Sequence, residues 1–170
     1  MKFFKNIILP FSFIILMIVF QFYVIGANSI FGVKPNIFLV IIIICNLWYD
    51  SKMTVMISTI TGILLDIIYG NNFGVFTLSY TVVATVVFAI NSGYKKQGRG
   101  SSIYVTFLGT SIFEIFQYII YIVSFNNKFD LLNIITRVIM TSLLNIAIMA
   151  ILYKPLIKIH ENITEKNKIY

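Results

Sequence analysis

Three ionisable residues lie inside long apolar stretches of the sequence, namely Asp66, Glu114 and Arg137. A charged side chain at the centre of a membrane-spanning helix costs about 2.5–3.5 kcal/mol on insertion scales, so each one needs water or a partner. Acids in such positions often mark a proton or ion pathway. The same stretches hold no histidine or lysine that would extend a relay, which favours a buried ion-pair cluster over a pathway.

Each of these residues lies on a stripe of small or polar residues at helical spacing, and such stripes face protein in membrane helices. The stripes are Thr54, Ser58, Gly62, Asp66 and Gly70; Thr110, Glu114, Gln117, Tyr118 and Tyr121; and Asn133, Arg137, Thr141 and Asn145. We predict that Arg137 bridges Asp66 and Glu114 in one polar cluster that also includes Asn145. The alternative is that Arg137 extends to the outer surface and Asp66 to the polar turn at Asn71, independently of each other.

The sequence offers no catalytic constellation. His160 is the single histidine and lies in the polar C-terminal segment, and Cys45 is the single cysteine and lies in an apolar run. A metal site needs more ligands than these, and the chain has no Gly-Lys-Ser/Thr loop for binding phosphates. We therefore predict that the protein is not an enzyme and needs no cofactor or metal.

Composition predicts that these residues are positioned by membrane helices. Hydrophobic residues make up 59% of the 170 residues, and Asp, Glu, Lys and Arg make up 11%, against about 25% charged residues in soluble domains. One small core could not bury so much apolar surface, so lipid must cover the rest. The net charge of +7 lies in short blocks between the apolar runs, which is typical of topology signals and not of a nucleic-acid site.

Six apolar runs predict an all-α bundle of six transmembrane helices in a single membrane domain. The predicted spans are 7–26, 36–49, 53–70, 73–91, 103–125 and 131–153. The second covers only about 21 Å of a hydrocarbon core of roughly 30 Å. It either begins at Ile30 with Lys34 reaching outward, or is a tilted, partly re-entrant helix. Pro155 is expected to end the last helix, which leaves 154–170 as a tail.

The first run follows Lys2 and Lys5, as the apolar core of a signal peptide would. A retained anchor is predicted instead, because the run is longer than a usual signal-peptide core and Ile25-Gly26-Ala27 is a poor cleavage site.

Lysine and arginine residues are unevenly divided between the two sides of this six-span arrangement. One side holds Lys2, Lys5, Lys52, Lys95, Lys96, Arg99, Lys154, Lys158, Lys166 and Lys168. The other side holds only Lys34 and Lys128, with Arg137 inside a span. Because cationic loops stay in the cytoplasm, both termini are predicted to be cytoplasmic. A version with five spans would break the alternation at one end.

Two polar motifs follow one another along the chain. They are Lys34-Pro35-Asn36 before the short second span, and Gly62-Ile63-Leu64-Leu65-Asp66 followed by Gly70-Asn71-Asn72-Phe73-Gly74. This order resembles the signature of the MreD family, a basic-Pro-Asn/Asp motif followed by Gly-x-x-x-Asp-x-x-x-Gly-x-x-x-Gly. The C-terminal half, with Glu114 and the run from Arg137 to Asn145, is similar to members from Gram-positive bacteria.

The resemblance implies a non-enzymatic protein of the bacterial cell membrane that works by contact. MreD-like proteins sit beside the bitopic protein MreC and help connect the cell-wall synthesis enzymes with cytoplasmic MreB filaments. The implied function is that of a scaffold of the rod-shape complex. The residues expected to pack helices or bind a partner are Lys34, Pro35, Asn36, Gly62, Gly70 and Gly74.

The family is also similar in fold to the substrate-binding subunits of energy-coupling-factor vitamin transporters, which supplies an alternative function. Those subunits often carry an Ala-x-x-x-Ala patch on their first helix. Residues Met1 to Gly26 contain no alanine, which argues against a vitamin-binding transporter subunit.

Overall fold

The computed structural model describes residues 32–48, 51–69, 73–91, 99–125 and 129–168. These ranges form five α-helices: α1 (Ile37–Trp48), α2 (Ser51–Tyr69), α3 (Val75–Asn91), α4 (Arg99–Phe125) and α5 (Leu131–Lys168). The predicted all-α architecture is confirmed for this part of the chain. The predicted span 7–26 lies outside the described residues.

Three of the described helices contain segments long and apolar enough to cross a membrane. These segments are Ser51–Tyr69, Gly100–Ser124 and Leu131–Pro155, whereas Ile37–Leu47 and Val75–Ile90 are shorter apolar helices. Each of the five predicted spans that can be compared is therefore a helix, but six full crossings are not supported.

The short helix α1 is the centre of the bundle. Its 12 residues are almost all apolar, and a helix that is apolar on every side belongs in a protein interior. Leu39, Val40 and Ile43 have no exposed surface, and α1 contacts all four other described helices. At about 1.5 Å per residue, α1 is about 18 Å long, roughly half the thickness of a bilayer including its headgroups.

The remaining helices pack around α1 as two hairpins. Helices α2 and α3 form one antiparallel pair and α4 and α5 the other, and these two pairs share the most extensive contacts of the described chain. Aromatic rings join the hairpins to each other, because the ring of Tyr80 on α3 lies 5.0 Å from the ring of Phe113 on α4. The core is thus built where both hairpins meet α1.

Helix α5 runs through Pro155 and ends at Lys168, so the prediction that Pro155 ends the last helix is wrong. A proline removes one backbone hydrogen bond and strains the turn before it, which kinks a helix but need not end it. No glycine or second proline follows between Leu156 and Lys168, so nothing there favours an end to the helix. Helix α4 likewise begins earlier than predicted, at Arg99 instead of Ile103.

Candidate functional site

Asp66 lies on α2 and binds the first turn of α3. Its side chain is almost completely buried, with 2% exposed. The backbone N–H of Phe76 donates to Oδ1 at 2.9 Å, and the backbone N–H of Thr77 donates to Oδ2 at 3.0 Å. The Thr77 hydroxyl donates to the same Oδ2 at 2.5 Å. Asp66 is therefore a helix cap supplied by a neighbouring helix.

The chemistry of a helix N-terminus explains why this carboxylate can lie inside the bundle. The first N–H groups of a helix have no partner within that helix, and their dipoles favour a negative charge. A carboxylate that accepts several such hydrogen bonds offsets much of the cost of its own burial. Asp66 thus uses its charge to hold α2 and α3 together.

Gly62, one turn before Asp66, lets the backbone of α3 approach α2. A Cβ atom built on Gly62 would lie 2.4 Å from Cα of Thr77 and 2.8 Å from its backbone nitrogen, closer than atoms can pack. Gly74 has a φ of 97° in the turn before α3, a conformation that L side chains rarely adopt. These two glycines shape the hairpin around the Asp66 cap, and Gly70 lies outside the described residues.

Replacing Gly62 with alanine is expected to lower the free energy of unfolding by about 1–3 kcal/mol, the usual cost of overpacking. The new methyl group would push the backbone of Thr77 away from α2 and weaken its bond to Asp66. Chemical denaturation of the purified protein in mixed micelles measures this loss.

Gly100→Ala is the matched control, because a Cβ there meets no atom within 4 Å. On α4 the added methyl should stabilise the helix by a fraction of a kcal/mol. Equal effects of the two alanines would show that Gly62 is not a close-packing position.

Glu114 on α4 and Arg137 on α5 form an ion pair. Nη2 of Arg137 lies 3.4 Å from Oε2 of Glu114, and the two side chains are 46% and 9% exposed, respectively. Thr141, one turn along α5 from Arg137, lies beside the same carboxylate. Because the acid is buried and the guanidinium is half-exposed, the pair points from the bundle interior towards the outer surface of α5.

Asn145 connects three parts of the bundle from a fully buried position on α5, with 0% exposed. Its Oδ1 accepts the backbone N–H of Asn36 at 2.8 Å, and its Nδ2 donates to the Thr110 hydroxyl on α4 at 3.2 Å. The Asn145 amide therefore fixes both α4 and the start of α1 to α5.

Asn36 completes this second network by capping α1. Its Oδ1 accepts the backbone N–H of Leu39 at 3.0 Å and the hydroxyl of the buried Tyr80 on α3 at 2.9 Å. The chain before Asn36 is not helical, and Pro35 is buried there while Lys34 is exposed. Non-helical backbone is tolerated at membrane depth only where protein or a cavity surrounds it, and this network supplies the surrounding protein.

The structure thus divides the polar cluster predicted from the sequence into separate contacts. It brings Arg137 to Glu114, but Asp66 binds the α3 backbone instead of Arg137. Asn145 joins Asn36, which the sequence had assigned to a different group. The alternative in which the second span begins at Ile30 is wrong, because its helix begins at Ile37 and residues 32–36 are not helical; the tilted, partly re-entrant alternative stays a prediction.

Sequence reasoning missed the roles of Tyr80 and Thr110. Thr110 shares a stripe with Glu114, so its inward position was available from helical spacing. Tyr80 lies between Ser79 and Thr81 on α3, and nothing in this local sequence distinguishes a hydroxyl that binds Asn36 from one at the membrane interface.

Within the described ranges, no group of three or more His, Cys, Asp or Glu side chains could hold a metal ion. A groove of about 410 Å³ lies between α4 and α5 and is lined by apolar and aromatic side chains, including Ile115, Ile119, Ile135 and Ile139. The polar networks described above hold helices to one another, and the groove offers no charged group for chemistry.

The comparison with protein families decides the assignment. A family model described as MreD, rod shape-determining protein MreD, matches residues 1–163. The chain belongs to the MreD family. The MreD resemblance found in the sequence is confirmed, while the closer similarity to Gram-positive members stays a prediction.

Membership in the MreD family places the chain among proteins that determine rod shape, which is not a known enzyme family. Together with the three long apolar helices, it makes the chain a multi-pass membrane protein. No curated protein and no solved structure matches the chain, so the expected likeness to vitamin-binding transporter subunits stays a prediction. The Gly-x-x-x-Asp spacing of the sequence corresponds here to the α2–α3 contact at Gly62 and Asp66.

Proposed function

We propose that this member of the MreD family is a non-enzymatic scaffold of the rod-shape complex, which acts by binding an MreC-like bitopic protein within the membrane. The observation that carries the proposal is the match to the MreD family over residues 1–163. Through that partner the scaffold would connect cell-wall synthesis enzymes with cytoplasmic MreB filaments. Both termini are proposed to be cytoplasmic, because most lysine and arginine residues then lie on the cytoplasmic side of the membrane.

The hydrogen bonds of polar groups inside the bundle support the proposed scaffold function. Asp66 is bound to the α3 backbone, and Asn145 is bound to Asn36 and Thr110. A polar contact between membrane helices adds only about 0.6 kcal/mol on average, but a buried polar group left without its partner costs about 1–3 kcal/mol. Such contacts therefore specify which helices pack together. A bundle organised in this way presents fixed outer surfaces to a partner.

Depletion of the protein in its native host is expected to turn rod-shaped cells round, and a tagged copy is expected to co-purify with the MreC-like protein. Cell width and length by light microscopy measure the first effect, and immunoblotting of the purified complex measures the second. A Gly100→Ala copy is a suitable control, because its added methyl meets open space and should restore rods like the unaltered chain. Unchanged shape on depletion, with no MreC-like protein recovered, would contradict the proposed function.

A further inference from the structure

The four helices around α1 form an incomplete ring. Helix α2 packs on α3, α3 on α4 and α4 on α5, and each of the four also contacts α1. The two end members of this series, α2 and α5, share no comparable contact among the described residues. The series therefore wraps around the central helix and leaves a gap between α2 and α5.

A partly exposed stripe marks one side of α1. Among residues 37–47, Ile41 and Cys45 are partly exposed and all the others are buried. These two residues lie about one turn apart, so they share one side of the helix. Helix α1 is therefore covered everywhere in this range except along the stripe formed by Ile41 and Cys45.

The stripe faces the gap between α2 and α5. Residue 43 is two positions from each member of the stripe, which at about 100° per residue places it on nearly the opposite side of α1. A Cβ atom on Gly109 of α4 would lie 2.9 Å from Cδ1 of Ile43 and 3.3 Å from Cγ2 of Val87 on α3. Ile43 thus packs where α3 and α4 meet, in the middle of the series. Ile41 and Cys45, on the opposite side of α1, lie towards its open ends.

The chain that leads into α1 needs protein, and not lipid, as its neighbour. Residues 32–36 are not helical, and Asn36 donates its backbone N–H to Asn145, which lies near the middle of the apolar segment of α5. Non-helical backbone at such depth occurs only where protein or a water-filled cavity surrounds it. Val33 and Pro35 are accordingly buried. A protein segment therefore fits the gap beside α1 better than acyl chains do.

Residues 7–26 are the apolar segment that the chain itself keeps within reach of the gap. They are long enough for about 30 Å of helix, and residues 27–31 alone separate them from Gly32. Even fully extended, this link covers only about 20 Å, roughly two interhelical distances. A segment tethered so closely has an effective concentration in the mM range, which favours it over the helix of a separate protein.

We propose that residues 7–26 form a transmembrane helix that packs between α2 and α5 and covers the stripe of Ile41 and Cys45 on α1. The ring around α1 is then closed by the chain itself. This inference does not depend on the proposed scaffold function, but it restricts the surfaces available for that function. A bitopic partner has to bind the outside of the closed ring instead of the gap.

Disulfide scanning in native membranes tests this packing, because Cys45 is the single cysteine of the chain. Cysteines are introduced one at a time at residues 8–17, the part of the segment that reaches the level of Cys45 when residue 26 lies near the start of α1. After mild oxidation and denaturation, an intramolecular disulfide protects both thiols from a maleimide mass tag until it is reduced. We expect protection at positions three or four residues apart, since a disulfide requires Cα atoms within about 7 Å.

Two further cysteine variants serve as controls in the same assay. Thr54→Cys is the positive control, because Oγ1 of Thr54 lies 3.5 Å from the carbonyl oxygen of Cys45. Tyr104→Cys is the negative control, because Tyr104 lies on α4 with 53% of its surface exposed. The best positions of the scan should form at least about tenfold more disulfide than Tyr104→Cys, given the mM effective concentration of tethered groups.

A photoreactive amino acid at Ile41 identifies the occupant of the gap independently of cysteine chemistry. We expect its adduct to lie within residues 7–26 of the same chain. An adduct to a second copy of the chain, to the MreC-like protein or to lipid alone would overturn the proposal. Absence of protection at all positions from 8 to 17, while Thr54→Cys forms its disulfide, would overturn it as well. Co-purification of the MreC-like protein is a separate measurement, so the scaffold function can stand or fail independently of these outcomes.

Discussion

Replacing Asp66 with alanine is expected to lower the free energy of unfolding by about 3 kcal/mol or more. The change removes an acceptor from the backbone N–H groups of Phe76 and Thr77 and from the Thr77 hydroxyl. A buried donor without a partner costs about 1–3 kcal/mol, and the favourable charge at the start of α3 is lost as well. Denaturation in mixed micelles measures the loss, and hydrogen exchange at Phe76 and Thr77 should accelerate.

Asp130 provides a control of the same residue type. It caps α5 through hydrogen bonds from the N–H groups of Leu132 and Asn133, at 3.1 and 3.3 Å, but it is exposed to its surroundings. Asp130→Ala should lower the free energy of unfolding by about 1 kcal/mol, the typical value for an N-cap. The loss in Asp66→Asn should lie between the losses of the two alanine variants. An Asp66→Ala loss no larger than that of Asp130→Ala would contradict the role of Asp66 as a buried cap between helices.

Replacing Asn145 with alanine is the second change with a large expected effect, a loss of about 3 kcal/mol in the free energy of unfolding. It leaves a cavity in a fully buried site, and it leaves the backbone N–H of Asn36 without its acceptor. The start of α1 should loosen, because Asn36 also caps α1 and binds Tyr80. The same denaturation experiment measures the loss, and the fluorescence of the single tryptophan, Trp48 at the other end of α1, reports whether the whole helix moves.

Asn133→Ala is the matched control, because Asn133 lies on the same helix but is exposed. A surface change of this kind usually alters stability by less than about 0.5 kcal/mol. Thr110→Val removes the hydroxyl that accepts Asn145 Nδ2 without changing side-chain size, so its effect should be much smaller in the Asn145→Ala background than alone. Equal losses from Asn145→Ala and Asn133→Ala would show that the Asn145 network does not hold the bundle together.

Helical spacing and the scarcity of charge predicted several of the polar residues that face the interior, but Tyr121 and Asn133, which lie on the same predicted stripes, are exposed. Asp66, Glu114 and Asn145 are all buried, because the cost of exposing them to lipid leaves few other positions. The ion pair between Glu114 and Arg137 could be predicted for the same reason. They are the acidic and the basic residue that the hairpin packing of α4 and α5 brings together. The alignment of polar residues within a helix was therefore readable from sequence.

The partners of Asp66 could not be predicted from the sequence, because two of the three are backbone N–H groups and the third is the uncharged hydroxyl of Thr77. A sequence displays side chains, and the search for a counter-charge led to Arg137, whereas the N-terminus of α3 supplies an equivalent electrostatic attraction without any cationic residue. Gly62 carried the relevant signal. A glycine one turn before a buried acid indicates that backbone approaches there, and here that backbone belongs to Thr77.

The central position of α1 could be predicted only in part. Its short length and its continuous apolar composition indicated an incomplete span, but a sequence does not say which helices surround it. Pro155 shows that a local signal can also mislead. Proline usually breaks helices, but the residues on both sides of Pro155 continue the helix. Local signals decide where elements can begin and end, and packing decides which of those signals prevail.

Two double-mutant cycles on unfolding free energy test the central claim most directly, namely that the buried polar residues hold separate pairs of helices together. The first combines Asp66→Ala with Thr77→Val, and the second combines Asp66→Ala with Arg137→Ala. We expect the first pair to be coupled by about 0.5–3 kcal/mol and the second to be additive within about 0.5 kcal/mol. Additivity between Asp66 and Thr77, together with coupling between Asp66 and Arg137, would contradict it.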